Sequence, residues 1–245
     1  MKINNDDRDS LNAMKDEYLK PSPDRIVDQK VIMMVAKYVI SRLPGSRILE
    51  LGVGDQVWTP MLLEKFKDVT TIDGSNELLQ AMQQRLAGKP WTPIVSYFED
   101  YEPKQKFDTV LATYVLEHVD DPLEILKLVN RKWLKPGGTL AVVVPHALSL
   151  HRRWALAMGM VSHLAELSET DYRVGHKRCF TCHEMEKLIV QAGFRIVERK
   201  GMFSKPFPNS MLVNCSDKQL QGLYELGLEL PIEYSATIYF RAEPV

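Results

Sequence analysis

The chain has 245 residues, of which 45% are hydrophobic and 26% are charged, and this composition suits one large α/β domain. Its 31 basic and 32 acidic residues give a net charge of −1, which argues against the basic surface of a nucleic-acid-binding protein. Three cysteines are too few for a disulfide framework. The polar start lacks the core of a signal peptide, and the longest apolar tract, TLAVVVP, is too short for membrane insertion. We therefore expect a cytoplasmic protein with a small-molecule partner.

Short β-branched runs alternate with segments of helical periodicity through the first two thirds of the chain. This pattern predicts βαβ units that build a parallel sheet. The predicted elements are, in chain order, helix 24–43, strand 47–51, helix 58–66, strand 69–72, helix 77–86, strands 93–98 and 107–113, helix 120–134, strand 139–145, helix 181–194, and strands 195–203 and 235–242.

Residues 147–180 interrupt this alternation, because they are rich in Arg, His, Met and Trp and carry little strand signal. We expect them to form a helical insertion on the strand ends that caps the substrate. The predicted fold is thus a single α/β domain over residues 1–245, with a Rossmann-like, doubly wound, mostly parallel seven-stranded sheet and a helical insertion after strand five. Its predicted parts are an amino-terminal lid segment (1–30), a cofactor-binding core (31–146), the insertion, and the carboxyl-terminal part of the sheet (181–245).

The stretch ILELGVGDQ, residues 48–56, ends a hydrophobic strand in two glycines. Glycines at such a strand end let a ligand approach the backbone, and an acid at the end of the next strand, here Asp73, is placed to bind a ribose. A dinucleotide and S-adenosylmethionine are the competing ligands. The loop lacks the third glycine of a pyrophosphate site and carries Asp55, so it favours the cationic sulfonium.

At this point the chain resembles the class I S-adenosylmethionine-dependent methyltransferases, over most of residues 30–203. The resemblance is carried by LELGVGDQ, TTIDGS, YFEDYEPKQKFDTVLATYVLEHVDDP and LKPGGTLAVVVP. One departure is Gln56, where the family often has a third glycine. The resemblance implies S-adenosylmethionine as the cofactor.

The resemblance also assigns the first half of the cofactor site. Glu50 would orient the glycine loop, and Gly52 and Gly54 would lie under the methionine portion of the cofactor. Asp73 would bind the ribose, with Gly74 beside it in the same motif.

The second half of the cofactor site follows strands three and four. Phe98 and Glu99 would flank the adenine, and Thr113 and Tyr114 would face the methionine group and the transferred methyl. Tyr18 in the leader is a candidate lid over the cofactor, because similar enzymes often close the site with this segment. A half-buried packing role for Tyr18 is the alternative.

A hydroxyl acceptor must lose a proton as it attacks, and histidine is the usual base. His146 directly follows strand five, at the ligand-facing edge, and is the first candidate for base or substrate contact. His176 and Arg178 end the insertion, where they could hold an anionic or hydroxyl-rich acceptor; Arg178 could instead pair within the insertion. His118 is expected to cap a turn rather than act in catalysis.

We expect no metal. Cys179 and Cys182 are flanked by His176 and His183, which are zinc-ligand types, but all four lie within eight residues that run into a helix and could not surround one ion. Quinone-pathway relatives bind a divalent metal with acids before an EH pair, and here Tyr114 stands at one such place.

The sequence therefore predicts methyl transfer to a small molecule, on a hydroxyl of a sugar, a glycan intermediate or a secondary metabolite. Transfer to nitrogen or carbon is the alternative, and a non-catalytic cofactor-binding scaffold is a third. Neutral charge, and the stretch TYVL where a nucleic-acid methyltransferase would carry an Asn/Asp-Pro-Pro-Tyr/Phe motif, argue against a nucleic-acid substrate.

Overall fold

The computed structural model describes residues 15–245, with side chains from residue 17 onward. Its sheet has seven strands in the order β3-β2-β1-β4-β5-β7-β6, and only β7 runs antiparallel to its neighbours. The Rossmann-like, mostly parallel sheet predicted from the sequence is confirmed. The strands are β1 (Arg47–Leu51), β2 (Asp68–Asp73), β3 (Thr92–Val95), β4 (Phe107–Thr113), β5 (Leu134–Pro145), β6 (Phe194–Met202) and β7 (Thr237–Pro244).

Helices cover both faces of this sheet. The side chains of Ser22, Ser75, Asp121 and Thr181 accept hydrogen bonds from first-turn amides and so fix four helix starts. No helix in the described part of the chain is long and apolar enough to cross a membrane. The helices are α1 (Lys15–Leu19), α2 (Pro23–Arg42), α3 (Trp58–Lys65), α4 (Asn76–Leu86), α5 (Pro122–Leu128), α6 (Leu150–Ala157), α7 (Glu169–Arg173), α8 (Cys182–Gln191), α9 (Asn209–Leu212) and α10 (Asp217–Glu229).

The central strands are buried on both faces, which explains their nearly continuous apolar sequence. One hydrophobic cluster contains the fully buried Trp133 and packs α5 and α8 on the sheet. The other contains Tyr239 and packs α2, α3 and α10 on the opposite face. The core therefore holds the strand ends in fixed positions on which a site can be built.

The carboxyl ends of most strands meet at one edge of the sheet. Strands β1, β2, β4 and β5 are parallel, and β6 runs in their direction because both β5 and β6 are antiparallel to β7. Residues that follow β1, β2, β4, β5 and β6 are consequently neighbours at this edge, which we call the ligand edge.

Residues 147–180, between β5 and α8, contain α6 and α7. The two ends of this insertion lie side by side. His146 forms an isolated parallel β-bridge with Phe180, and the Ala147 amide donates to the Phe180 carbonyl at 2.9 Å. Within the insertion, Arg152 links α6 to the loop that follows it by donating to the carbonyls of Leu164 and Glu166. The insertion thus leaves and returns to the sheet at one point of the ligand edge.

Three parts of the chain differ from the sequence prediction. The third strand ends at Val95, so Phe98 and Glu99 lie in the turn after it. The predicted helix 120–134 ends in a π-helical turn, and β5 already begins at Leu134. Helix α10, which has no counterpart among the predicted elements, packs on β6 and α2.

Candidate active site

The glycine loop after β1 is shaped by hydrogen bonds to β2. The Gly52 amide donates to the Ile72 carbonyl at 2.8 Å, and the Val53 amide donates to Asp73 Oδ2 at 2.9 Å. Gly52 has φ 75°, and a Cβ there would lie 3.0 Å from Val115 Cγ2. Glycine at this position therefore meets both a backbone and a packing requirement.

Glu50 lies beneath the loop and is almost fully buried. Its Oε2 accepts hydrogen bonds from Thr59 and Thr71, both at 2.7 Å, which tie β1 to α3 and β2. Burial raises the pKa of Glu50 to about 8, although the two hydroxyl groups lower it. Glu50 is thus placed to fix the base of the loop.

Asp73 ends β2 beside Gly52. Besides the Val53 amide, it accepts the Ser75 amide at 2.7 Å, and burial raises its pKa above the ordinary value. Gly74 connects Asp73 to Ser75, the residue that caps α4. Strand, loop and helix start therefore converge on one carboxylate, which retains lone pairs for further donors such as the hydroxyls of a ribose.

The turn that contains Phe98 and Glu99 begins beside Asp73, because the Ser96 amide donates to the Asp73 carbonyl at 3.0 Å. Phe98 is half-buried against the core, whereas Glu99 is exposed. The structure thus brings this turn to the cofactor side of the edge with the ring inward and the carboxylate outward.

Tyr18, on α1, closes the glycine loop from above. Its Cε1 lies 3.8 Å from the position of a Cβ on Gly54, and its hydroxyl lies 3.5 Å from His118 Nε2 and 3.4 Å from the Val174 carbonyl. Burial, followed by the charges of Glu117, Asp55 and Asp73, raises its pKa. Tyr18 therefore spans from the cofactor loop to the insertion; residues 1–14 of the predicted lid lie outside the described residues.

Arg25 is a site residue that the sequence analysis missed. Its Nη1 donates to the Glu17 carbonyl at 2.8 Å, but its Nη2 is buried with no hydrogen-bond partner in the described chain. With Tyr18, Asp55 and Gln56 it lines a cavity of about 200 Å³ beside the loop. Its position after Ser22-Pro23 at a helix start was visible in the sequence, but its reach to the loop was not.

Thr113 and Tyr114 end β4. Thr113 is buried and pairs with Val143 of β5. Tyr114 adopts φ 54°, an unusual conformation for a non-glycine residue, and its hydroxyl lies 3.1 Å from Thr237 Oγ1 on β7. The strained turn after Tyr114 directs the following residues toward the ligand edge.

Glu117, His118, Asp171 and His176 form a polar cluster between this turn and the insertion. His176 Nδ1 lies 2.8 Å from Asp171 Oδ1, and the rings of His118 and His176 are in edge contact with centroids 4.8 Å apart. His118 Nδ1 lies 3.2 Å from the Gly175 carbonyl. His118, which was expected to cap a turn, instead joins the insertion to Tyr18.

The electrostatics of this cluster assign protons. Although burial raises the pKa of Asp171, hydrogen bonds from His176 and Ser168 hold it below its ordinary value, so Asp171 is a carboxylate that accepts the Nδ1–H of His176. In the neutral form of that ring, Nε2 is the atom left to accept a proton. Burial lowers the pKa of His118 to about 4 and raises that of Glu117 to about 7. Neither carboxylate oxygen of Glu117 has a partner within the described residues.

His146 and Arg178 lie apart from this cluster. The His146 ring is buried and its Nδ1 lies 3.1 Å from the Ser235 carbonyl, and the charges that act on it belong to Glu233 and Arg153. Arg178 donates to the Asp120 carbonyl at 3.1 Å, the alternative role considered above. Of the three predicted catalytic residues, only His176 belongs to this cluster.

Within the described residues, Glu117, His118 and His176 could also hold a metal ion, since their ligand atoms lie within 4.8 Å of one another. Cys179 and Cys182 do not join such a group in this part of the chain. The Cys182 thiol instead lies 3.6 Å from Glu186 on its own helix.

The residues at the ligand edge fit S-adenosylmethionine. Gly52 leaves an approach to the backbone, Asp73 offers carboxylate oxygens there, and the unpartnered Arg25 Nη2 suits a carboxylate. Asp55 and Asp73 add acids on the side of the space that Tyr18 covers, which suits a cationic centre.

Residues 24–199 match a family model described as a methyltransferase domain. A ubiquinone biosynthesis O-methyltransferase from Xanthomonas campestris pv. campestris is 37% identical over 111 residues, which are 42% of this chain and 45% of that relative. The match therefore spans less than half of that relative's length. The protein of the same description from Xanthomonas euvesicatoria pv. vesicatoria is 29% identical over 182 residues, covering 71% of this chain and 73% of the relative.

Solved structures agree in fold. A SAM-dependent methyltransferase of Thermotoga maritima, described as a possible histamine N-methyltransferase, has a TM-score of 0.64 at 21% identity, covering 90% of this chain and 92% of that one. The N-methyltransferase NodS of Bradyrhizobium japonicum, solved with S-adenosyl-L-homocysteine, has a TM-score of 0.54 at 14% identity, covering 89% and 86%. With the family match over residues 24–199 and the acid-lined glycine loop, these likenesses identify the chain as a member of the S-adenosylmethionine-dependent methyltransferase family, with S-adenosylmethionine as its cofactor.

Proposed function

We propose that this protein methylates a hydroxyl group of a small molecule and that His176 is the general base. The observation that carries the proposal is the 2.8 Å contact between His176 Nδ1 and Asp171, beside Glu117 at the ligand edge. Asp171 fixes the tautomer of the ring, so that Nε2 accepts the proton as the hydroxyl attacks.

Methyl transfer needs little from the protein beyond positioning and proton removal. S-adenosylmethionine supplies a methyl carbon that is activated by its sulfonium. Tyr18 covers the loop and excludes water, and the turn after Tyr114 sets the distance between the two halves of the site. Glu117, whose pKa lies near 7, offers a carboxyl group that can orient the acceptor hydroxyl by accepting or donating a hydrogen bond.

The two Xanthomonas relatives are both named O-methyltransferases, which favours oxygen as the acceptor atom. The solved structures of similar fold include N-methyltransferases, and an amine is therefore the second candidate. An amine that binds uncharged needs no base during attack, so the Asp171–His176 pair favours the hydroxyl.

The test is methyl transfer from labelled S-adenosylmethionine to a panel of catechols, sugars and amines, by the wild type and by His176→Gln. We expect hydroxyl acceptors to react and His176→Gln to lower kcat by about 10²- to 10⁴-fold while leaving the affinity for S-adenosylhomocysteine unchanged. His163→Gln, an exposed histidine of the same insertion, is the matched control, and His146→Gln tests the other predicted base.

Methylation of amines alone would sink the proposal, as would full activity of His176→Gln on a hydroxyl. A loss of activity in His146→Gln but not in His176→Gln would instead identify His146, at the end of β5, as the base.

A further inference from the structure

A second polar group lies under the insertion, beyond the residues to which the methyl transfer has been assigned. Lys205 follows β6 by three residues, at the same ligand edge, and it is half-buried. Its ammonium makes no hydrogen bond or ion pair with any residue that the structure describes. The Lys205 ammonium is therefore available to bind an anion from outside the chain.

The backbone before Lys205 is held rigidly. Phe203 is buried and adopts φ 59°; its carbonyl accepts the Ala236 amide, and the Ser204 amide donates to the Leu223 carbonyl, both at 2.9 Å. Gly227 packs so closely on this turn that a Cβ there would lie 2.4 Å from the Phe203 nitrogen. Strain of this kind persists where a side chain must be aimed.

Helix α6 of the insertion packs on the segment that carries Lys205. Trp154 and Phe207 are in edge contact with ring centroids 5.3 Å apart. His151 lies three residues before Trp154 and therefore shares its helix face. His151 Nδ1 lies 3.1 Å from Ser149 Oγ, which leaves Nε2 to face another group.

Three acids act on Lys205 without forming an ion pair with it. They are Asp28, Asp171 and Asp24; Asp28 accepts the Asn209 amide group, and Asp171 accepts His176, Ser168 and Arg152. Burial, followed by the charges of Lys205 and Arg152, lowers the pKa of His151. The described residues therefore leave the Lys205 ammonium without a paired carboxylate, although acids lie in the region.

We propose that the Lys205 ammonium and the His151 ring form a subsite for a carboxylate or phosphate group on the methyl acceptor, here called the anion subsite. The proposal rests on the proposed function, because it gives that acceptor its chemical class: a hydroxylated molecule that also carries an anionic group. Asp171 connects α6 to the base, since it contacts both Arg152, the neighbour of His151 on that helix, and His176. The anion would then hold the acceptor while its hydroxyl faces His176.

The experiment is calorimetric titration of the protein, saturated with S-adenosylhomocysteine, with 3,4-dihydroxybenzoate, catechol and catechol monophosphate. We expect the wild type to bind at least one of the two anions at least about tenfold more tightly than catechol. Lys205→Met should remove this preference without changing the affinities for catechol and S-adenosylhomocysteine. Lys218→Met makes the same change at an exposed lysine on α10 and should retain it.

The two anions distinguish a carboxylate from a phosphate ligand. Equal binding of catechol and both anions by the wild type would overturn the anion subsite, and so would a preference that survives in Lys205→Met or a loss of S-adenosylhomocysteine binding in that variant. Lys205→Gln serves the same test where Lys205→Met does not fold. Because titration needs no turnover, Lys205-dependent anion binding without hydroxyl methylation would reject only the proposed function.

Discussion

The two halves of the ligand edge are built differently. The cofactor half is formed by β1, β2 and the loops after them, and backbone amides supply most of its contacts. Asp73, for example, accepts the amide of Ser75, two residues further along the chain, and the amide of Val53 in the loop after β1. In the acceptor half, formed by residues 114–118 and the insertion, side chains from distant parts of the chain meet one another, as His118 meets Tyr18 and His176. A backbone-built site is fixed by the fold, whereas a side-chain-built site can change with the acceptor.

The largest effect should come from Asp73→Ala, which breaks the cofactor half. The variant loses the acceptor for the Val53 and Ser75 amides and for a ribose, so we expect the affinity for S-adenosylhomocysteine to fall by at least about 100-fold. Calorimetry measures this. Asp68→Ala is the control, because Asp68 begins the same strand and pairs with Arg47 at 2.6 Å away from the ligand edge. Similar affinities in the two variants would contradict the role of Asp73.

The acceptor half should make the free energy of unfolding of the protein depend on pH. Glu117 keeps its proton in the folded protein up to a pKa of about 7, against 4.5 ordinarily, because it is buried. The unfolded chain releases that proton earlier, so the free energy of unfolding falls as pH rises between these values. Glu50 and Asp55, with pKa values of about 8 and 6, act in the same direction.

Glu117→Gln removes one of these contributions. In urea unfolding of the cofactor-free protein, we expect the decrease between pH 5 and pH 8 to be smaller in the variant by up to about 3 kcal/mol. Glu225→Gln changes an exposed residue of α10 and should follow the wild type. An unchanged decrease in Glu117→Gln would mean that this carboxyl group is ionised within the folded site.

Tyr18 contacts both halves, and the contributions of its ring and of its hydroxyl to cofactor binding can be measured separately. The ring packs over Gly54, whereas the hydroxyl contacts are long, at 3.4 and 3.5 Å. We expect Tyr18→Ala to weaken S-adenosylhomocysteine binding by about tenfold through lost packing, and Tyr18→Phe to have a much smaller effect. Tyr172→Ala, at a tyrosine that is 67% exposed, is the control. An equal loss in Tyr18→Phe would assign the closure to the hydroxyl.

The same contrast explains what the sequence could predict. Strand β1 was predicted with its observed bounds, 47–51. Spacing also put Gly52 and Asp73 at neighbouring strand ends, and the structure has them side by side, with Asp73 Oδ2 3.9 Å from the position of a Gly52 Cβ, because local backbone geometry determines where they lie. The packing of α6 on the segment that carries Lys205 could not be predicted, since the contact of Trp154 with Phe207 joins two parts of the chain that no spacing rule connects. His118 was visible in the sequence but was interpreted locally, although its partners are Tyr18 and Gly175.

The smallest expected effect concerns Gln56, the position where the cofactor loop departs from the family. Gln56 adopts φ 62°, a conformation that costs a non-glycine residue about 1 kcal/mol, so a glycine would fit its backbone better. The side chain is buried and its Nε2 lies 3.5 Å from the Leu78 carbonyl, while its own carbonyl accepts Arg85 Nη1 at 2.8 Å. Gln56→Gly keeps the Arg85 contact and loses only the side chain.

Ala87→Gly separates strain from side-chain packing, because Ala87 also has positive φ, 45°, but is exposed at the end of α4. We expect Ala87→Gly to raise the free energy of unfolding by about 1 kcal/mol and Gln56→Gly to raise it less, since the lost packing opposes the relieved strain. Urea unfolding of both variants measures the difference. If Gln56→Gly raises the free energy of unfolding as much as Ala87→Gly does, the Gln56 side chain adds nothing to the stability of the loop. The backbone conformation alone would then favour glycine at this position.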